Sequence, residues 1–208
     1  MKIISKDTKK TLIQDLINIK AININTQNQF TWASGIKSPI YIDNRLIMSY
    51  PHVRTRVVEG LANLINEEWP NIPIDTFFGT ATAGIPHAVL LSHFLEKPCG
   101  YVRSSKKDHG KGNQIEGAYK KGDQVIVVED LISTGGSVIK VVESLQQAGL
   151  NVKGIVAIFS YDLQRAHDNF KKLDIPYYSL LNFHDLVTYL PTNSSEDKEM
   201  LIKFQQNL

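Results

Sequence analysis

Val125-Ile126-Val127-Val128-Glu129-Asp130-Leu131-Ile132-Ser133-Thr134-Gly135-Gly136-Ser137 starts as an unbroken apolar run, passes through two adjacent acids and ends in hydroxyls and glycines. An apolar run of that kind reads as a strand covered on both faces. Val138, Val141, Val142, Leu145 and Ala148 then recur at helical spacing up to a stop at Gly149. The same alternation extends to either side. Upstream, Asp75-Thr76-Phe77-Phe78-Gly79 reads as a strand, Thr80-Ala81-Thr82-Ala83-Gly84 as a loop of small residues, and Pro86 to Phe94 as an apolar helix. Gly100-Tyr101-Val102-Arg103 is a further strand, and Gly154 to Phe159 is a fourth. Strands separated by helices pair in parallel through right-handed crossovers, so the expected fold is a doubly wound, mainly parallel α/β sheet. In such a sheet ligands bind at the carboxyl ends of the strands.

The remaining chain reads as an appendage. Leu12, Ile13, Leu16 and Ile17 form a first amphipathic helix with a cap at Asp7 or Thr8. Phe30 to Asn44 reads as turn plus strand around Ile40-Tyr41-Ile42. Val53, Val57, Leu61, Leu64 and Ile65 form a second helix that ends before Pro70. The expected division is a small N-terminal α+β hood over 1–48 and a core over 49–208, with a mobile loop at about 103–118. The chain has 208 residues, a net charge of +2, 42% hydrophobic and 21% charged residues, which gives no electrostatic case for nucleic acid. It lacks the long uncharged run a membrane helix needs. Cys99 is a lone cysteine, and Met1-Lys2-Ile3-Ile4-Ser5-Lys6-Asp7 has no apolar leader pattern, so the expected location is the reducing cytoplasm.

The stretch after the buried run also carries chemistry. Gly135 and Gly136 let backbone N–H groups approach an anion, Ser133, Thr134 and Ser137 add donors, and a new helix presents its positive end there. A phosphate monoester fits. Glu129 and Asp130 repel that phosphate and need hydrogen-bond donors or cations nearby; vicinal ribose hydroxyls with a magnesium ion satisfy them. Taken alone, the stretch also fits solvated acids beside an ordinary turn. It matches neither the P-loop nor the Gly-x-Gly-x-x-Gly dinucleotide pattern.

In register, Val125 to Ser137 resembles the signature of the type I phosphoribosyltransferases, which bind phosphoribosyl pyrophosphate (PRPP). The resemblance implies that Glu129 and Asp130 hold the ribose hydroxyls and that the segment through Leu131 and Ile132 to Ser133, Thr134, Gly135, Gly136 and Ser137 encloses the 5-phosphate. A pyrophosphate leaving group also needs stabilising charge. Arg103 to Asn113 is polar, cation-rich and punctuated by Gly110 and Gly112; by itself it fits a solvated basic loop. Arg103, Lys107, His109 and Gly110 are, however, similar in spacing to the catalytic loop of the orotate phosphoribosyltransferases. That resemblance implies a Mg²⁺-dependent transfer of phosphoribosyl from PRPP to orotate, giving orotidine 5′-monophosphate in pyrimidine biosynthesis. It further implies a homodimer whose loop is shared across subunits, with Arg103, Lys107, His109 and Asp130 catalytic. His109 would either hydrogen-bond the pyrophosphate or pass it a proton.

Phe30 to Tyr41 is similar to that family's orotate-contacting segment, with Tyr41 where an aromatic stacks on the base. Trp32 fits that segment or plain packing. Thr80, Ala81, Thr82, Ala83 and Gly84 fall where its pyrophosphate loop lies. Some members carry lysine where this chain has Ala33, Ala83 and Ser104, which points to a subfamily. An orotate-contacting arginine has no match near Phe159-Ser160-Tyr161-Asp162, leaving Lys37, backbone N–H groups and Ser133 for the orotate carboxylate; Arg165 reads as surface. Metal binding is assigned to none of His52, His87, His93, His167 and His184. Cys99 reads as a small core residue, and Asn193-Ser194-Ser195 as the cap of a final helix carrying Met200, Leu201 and Phe204. The rivals are a PRPP-sensing regulator without turnover and a purine phosphoribosyltransferase; the loop at Lys107 and His109 argues against both.

Overall fold

The computed structural model describes residues 5–31, 35–104, 114–191 and 195–208. In chain order the elements are α1 (Lys6–Asn18), β1 (Ile22–Ile24), β2 (Phe30–Thr31), β3 (Lys37–Ser38), β4 (Ile40–Ile42), a 3₁₀ helix (Asn44–Ser49), α2 (Pro51–Glu68), β5 (Thr76–Thr80) and α3 (Gly84–Phe94). Then come β6 (Cys99–Val102), β7 (Ile115–Glu116), β8 (Gln124–Ile132), α4 (Gly136–Gln147), β9 (Asn151–Ser160), α5 (Gln164–Leu173), β10 (Tyr177–Asn182), α6 (Phe183–Tyr189) and α7 (Ser195–Gln206).

The main sheet has six strands in the order β10-β9-β8-β5-β6-β7, all parallel except for β7 at one edge. The apolar run Val125 to Val128 lies in the middle of it and is fully buried. Its alternate residues face opposite ways. Ile126 and Val128 join Phe77, Val156 and Ile158 in a layer covered by α1, α2, α3, α6 and α7. Val125 and Val127 join Phe78, Ile155 and Ala157 under α4 and α5. Helix α3, which follows β5, therefore packs on one face, and α4, which follows β8, on the other. Chain direction across the sheet reverses between β5 and β8, and a crevice opens at their carboxyl ends.

Several elements depart from the pattern expected from sequence. Strand β8 runs past the acids to Ile132, because β9 goes on pairing with it at Glu129↔Ala157, Leu131↔Phe159 and Ile132↔Ser160. The polar loop expected at 103–118 contains the edge strand β7, antiparallel to β6. Strand β10 was not expected, nor was β1, which pairs antiparallel with β4 through Ile22↔Ile42 and Ile24↔Ile40. The first helix is capped by Ser5, whose Oγ accepts from the Thr8 N–H at 3.1 Å. Helix α1 is tied to α6 by Lys9 and Asp185, 2.7 Å apart. Of the expected final cap, Asn193 and Ser194 lie outside the described residues, and α7 starts at Ser195.

Candidate active site

Strand β5 pairs with β8 only as far as Gly79↔Val128. From Glu129 onward β8 has a neighbour on one side alone, so the acid pair sits on an open edge at the reversal of the sheet. The two acids are not equivalent. Glu129 is buried, 6% exposed, and its Oε1 accepts the Asp130 N–H at 2.9 Å. Burial, and then the neighbouring Asp130, raise the Glu129 carboxyl well above the ordinary carboxylate range. Asp130 is half-buried and lines a cavity of about 510 Å³ together with Ile42, Asp43, Arg45, Thr82 and Ala83.

Beyond the acids, Gly135 takes φ +78° and begins α4 with no side-chain cap, so first-turn N–H groups are left to a ligand or water. Only glycine suits this position: a Cβ would lie 2.6 Å from the Phe170 ring. The loop is held from beneath as well, because Asn169 Nδ2 donates to the Thr134 carbonyl at 3.1 Å and the Tyr161 N–H to the Ile132 carbonyl at 2.9 Å. Ser133 and Thr134 are half-buried; Gly136 and Ser137 are exposed.

The second loop, from Thr80 to Gly84, leads into α3, which also starts without a side-chain cap. It is pressed onto the strand ends. The Thr80 hydroxyl donates to the Val128 carbonyl at 3.3 Å and the Ala81 N–H to the Val102 carbonyl at 3.0 Å. A Cβ on Gly84 would sit 2.5 Å from the Val128 carbonyl oxygen. The Ala81–Thr82 peptide is cis. Two open helix starts, on opposite faces of the sheet, thus flank one acid pair. A ligand with an anion at each end and hydroxyls between matches that order.

Arg103 follows β6. Its backbone N–H donates to the Gln114 carbonyl at 2.9 Å, and its guanidinium lies 3.8 Å from Glu116. A cavity of about 380 Å³ places it with Thr80, Ala81, Ser104, Ser137 and Lys140. Arg103 is thereby brought to both loops. Lys107, His109, Trp32 and Ala33 lie outside the described residues. Tyr41 is exposed on β4, with its ring centroid 5.8 Å from that of Phe30. Lys37 is exposed on β3 and donates to the Thr31 hydroxyl at 2.7 Å; it lines neither cavity. Cys99 is half-buried at the start of β6, where it packs against the main core.

Asn44 and Arg45 carry no motif, and nothing in the sequence gives either of them a role. Asn44 is 1% exposed and its Nδ2 donates to the Asp130 carbonyl at 2.7 Å, which bolts the N-terminal segment to the strand tip. Only their position directly after the β-prone run Ile40 to Ile42 could have drawn attention to them.

The doubly wound sheet, reversing between β5 and β8 with an acid pair and a hydroxyl–glycine loop at that point, is a type I phosphoribosyltransferase architecture. The Phosphoribosyl transferase domain family matches residues 52–185. Over 202 residues the chain is 47% identical to an orotate phosphoribosyltransferase of Staphylococcus aureus and 48% identical to one of Staphylococcus haemolyticus, covering 96% of this chain and 98% or 99% of theirs. An orotate phosphoribosyltransferase structure from Aeropyrum pernix matches with a TM-score of 0.76 at 27% identity, over 86% of this chain and 97% of that one. The chain belongs to the orotate phosphoribosyltransferase family.

Proposed function

We propose that the protein transfers the phosphoribosyl group of PRPP to orotate, giving orotidine 5′-monophosphate and pyrophosphate. The near full-length identity of 47% to the Staphylococcus aureus relative carries this reading. In it, Asp130 and Glu129 accept the ribose hydroxyls and favour positive charge as it develops at the anomeric carbon. The backbone from Leu131 to Ser137 and the hydroxyls of Ser133, Thr134 and Ser137 hold the 5-phosphate, and Thr80 to Gly84 take the pyrophosphate. Arg103, Lys107 and His109 receive the departing negative charge. Tyr41 stacks on the base, and Ser133 and Lys37 serve the orotate carboxylate. Residues 1–48 act as a hood over a core of 49–208.

Among the described residues no group of three His, Cys, Asp or Glu side chains could hold a metal. Two carboxylates at one edge suit Mg²⁺, a hard ion that keeps its waters and takes substrate oxygens. Asp130 and Glu129 would hold it through those oxygens, and bound there it would offset pyrophosphate charge. The functional unit is a homodimer with Lys107 and His109 serving the neighbouring subunit's site. Val89 and Phe94 of α3, 50% and 52% exposed, support an interface on that helix. Among the described residues no helix is long and apolar enough to cross a membrane, and the cytoplasm is the proposed location.

Purified protein with PRPP, Mg²⁺ and orotate should deplete the orotate absorbance, and Lys107→Ala should lose turnover far more than PRPP affinity. Turnover of adenine, hypoxanthine or uracil with orotate left intact would refute the assignment.

A further inference from the structure

Arg45 stands at the mouth of the 510 Å³ cavity, in the first turn of the 3₁₀ helix. A two-toothed fork with Asp43 fixes its guanidinium: Nε to Oδ1 at 2.6 Å and Nη2 to Oδ2 at 2.8 Å. The pair engages one edge of the guanidinium, and the Nη1 side has no hydrogen-bond partner among the described residues. An exposed ion pair two residues apart does little for stability. Three features give this one another use. It is the one cation among the residues lining that cavity, whose other walls are Ile42, Asp43, Thr82, Ala83 and Asp130. Thr82 and Ala83 bring no charge of their own, only the open start of α3. And the base of the arm is anchored, because Asn44, its chain neighbour, is buried and bonded to the Asp130 carbonyl at 2.7 Å.

Resting on the PRPP reading of the site, we propose that Arg45 is a substrate-contacting residue that meets the diphosphate of PRPP over Thr82 and Ala83, with Asp43 as the positioning residue that aims it. Asp130, which lines the same cavity, is left to accept the ribose hydroxyls. A planar, permanently charged fork suits a diphosphate better than a lysine would. The Asp43 carboxyl, held below its ordinary range by Arg45, stays ionised and keeps the fork in place at neutral pH.

Titration calorimetry on the full chain tests this, using inorganic pyrophosphate with Mg²⁺, ribose 5-phosphate and orotate as separate probes. Arg45→Gln should weaken pyrophosphate binding about tenfold to a hundredfold, the loss of one or two charge-assisted hydrogen bonds. Ribose 5-phosphate affinity should stay within about twofold. Arg45→Lys should recover part of the loss, and Asp43→Asn should show a smaller loss of the same kind. Unchanged pyrophosphate binding in Arg45→Gln would overturn the proposal, leaving a solvated surface arginine. So would a loss confined to orotate, which would move Arg45 to the carboxylate. Wild-type orotate turnover is scored separately: a wild type that ignores orotate but loses pyrophosphate on Arg45→Gln refutes the transfer reaction and keeps Arg45.

Discussion

Two neighbouring strands, β5 and β8, each lead through a short loop into a helix that starts without a side-chain cap, yet the two junctions are built differently. After β8 the chain uses a left-handed glycine, Gly135, and props the turn with Phe170 and Asn169 from α5. After β5 no residue of the turn needs positive φ; the helix is pressed against strand backbone, with Gly84 in contact distance of the Val128 carbonyl. The first junction is adjustable, because its support is a side chain. The second is closed by the Val128 carbonyl and the short Thr80 hydroxyl, which is itself bonded to that carbonyl. The same outcome, a helix start at a strand end with no side-chain cap, is reached once by conformation and once by close packing.

That contrast can be broken by substitution. Gly84→Ala should destabilise most, by upwards of about 3 kcal/mol, since neither the Val128 carbonyl nor the Thr80 hydroxyl, both 2.5 Å from the new Cβ, can withdraw without disturbing the sheet. Denaturant unfolding measures it; a loss equal to or below that of Gly135→Ala would erase the distinction.

The next effect is the pH dependence that the β5 junction contributes. His87 on α3 is fully buried, both ring nitrogens lack a hydrogen-bond partner among the described residues, and burial lowers its pKa to about 4. The unfolded chain takes up a proton near 6.5 that the folded one refuses, so the stability is complete above pH 6.5 and is lost as pH falls toward 4. The stability gap between wild type and His87→Leu should shift by about 3 kcal/mol from pH 6.5 to 4, whereas the raised Glu129 carboxyl, common to both, acts in the opposite sense and cancels in the difference. A gap that stays constant over that range would refute the burial argument.

Gly135→Ala should cost about 2 kcal/mol, a left-handed backbone penalty plus displacement of the Phe170 ring. Here the partner can yield. In the Phe170→Leu background the same change should cost measurably less, and strict additivity of the two would show that the ring does not limit the turn.

The sequence made much of this legible because burial of a central strand leaves a chemical trace. Val125 to Val128 are apolar on both faces, and that run with the alternation around it was enough to predict a doubly wound sheet and the strand ends where the site lies. The acids were placed just beyond the strand because charge interrupts the apolar run, whereas the backbone pairing with β9 is indifferent to it and continues to Ile132. Strands β7 and β10 carry only a weak pattern for a related reason. Each lies at an edge of the sheet, where half the residues meet solvent and the pattern dilutes to Ile115-Glu116 or to Tyr177-Tyr178-Ser179. Asn44 and Arg45 were not legible at all. Their partners lie across space, as when Asn44 bonds to Asp130, 86 residues away in the chain, and a polar residue bound for burial looks in sequence like any turn residue.

The central claim is that the crevice between the tips of β5 and β8 holds a phosphorylated ribose. Backbone amide shifts recorded while ribose 5-phosphate is added to the full chain test it most directly. The largest changes should fall on Thr134, Gly135, Gly136 and Ser137, with smaller ones at Asp130. Shifts centred on α1 and α2, or none at those four amides at saturation, would contradict it.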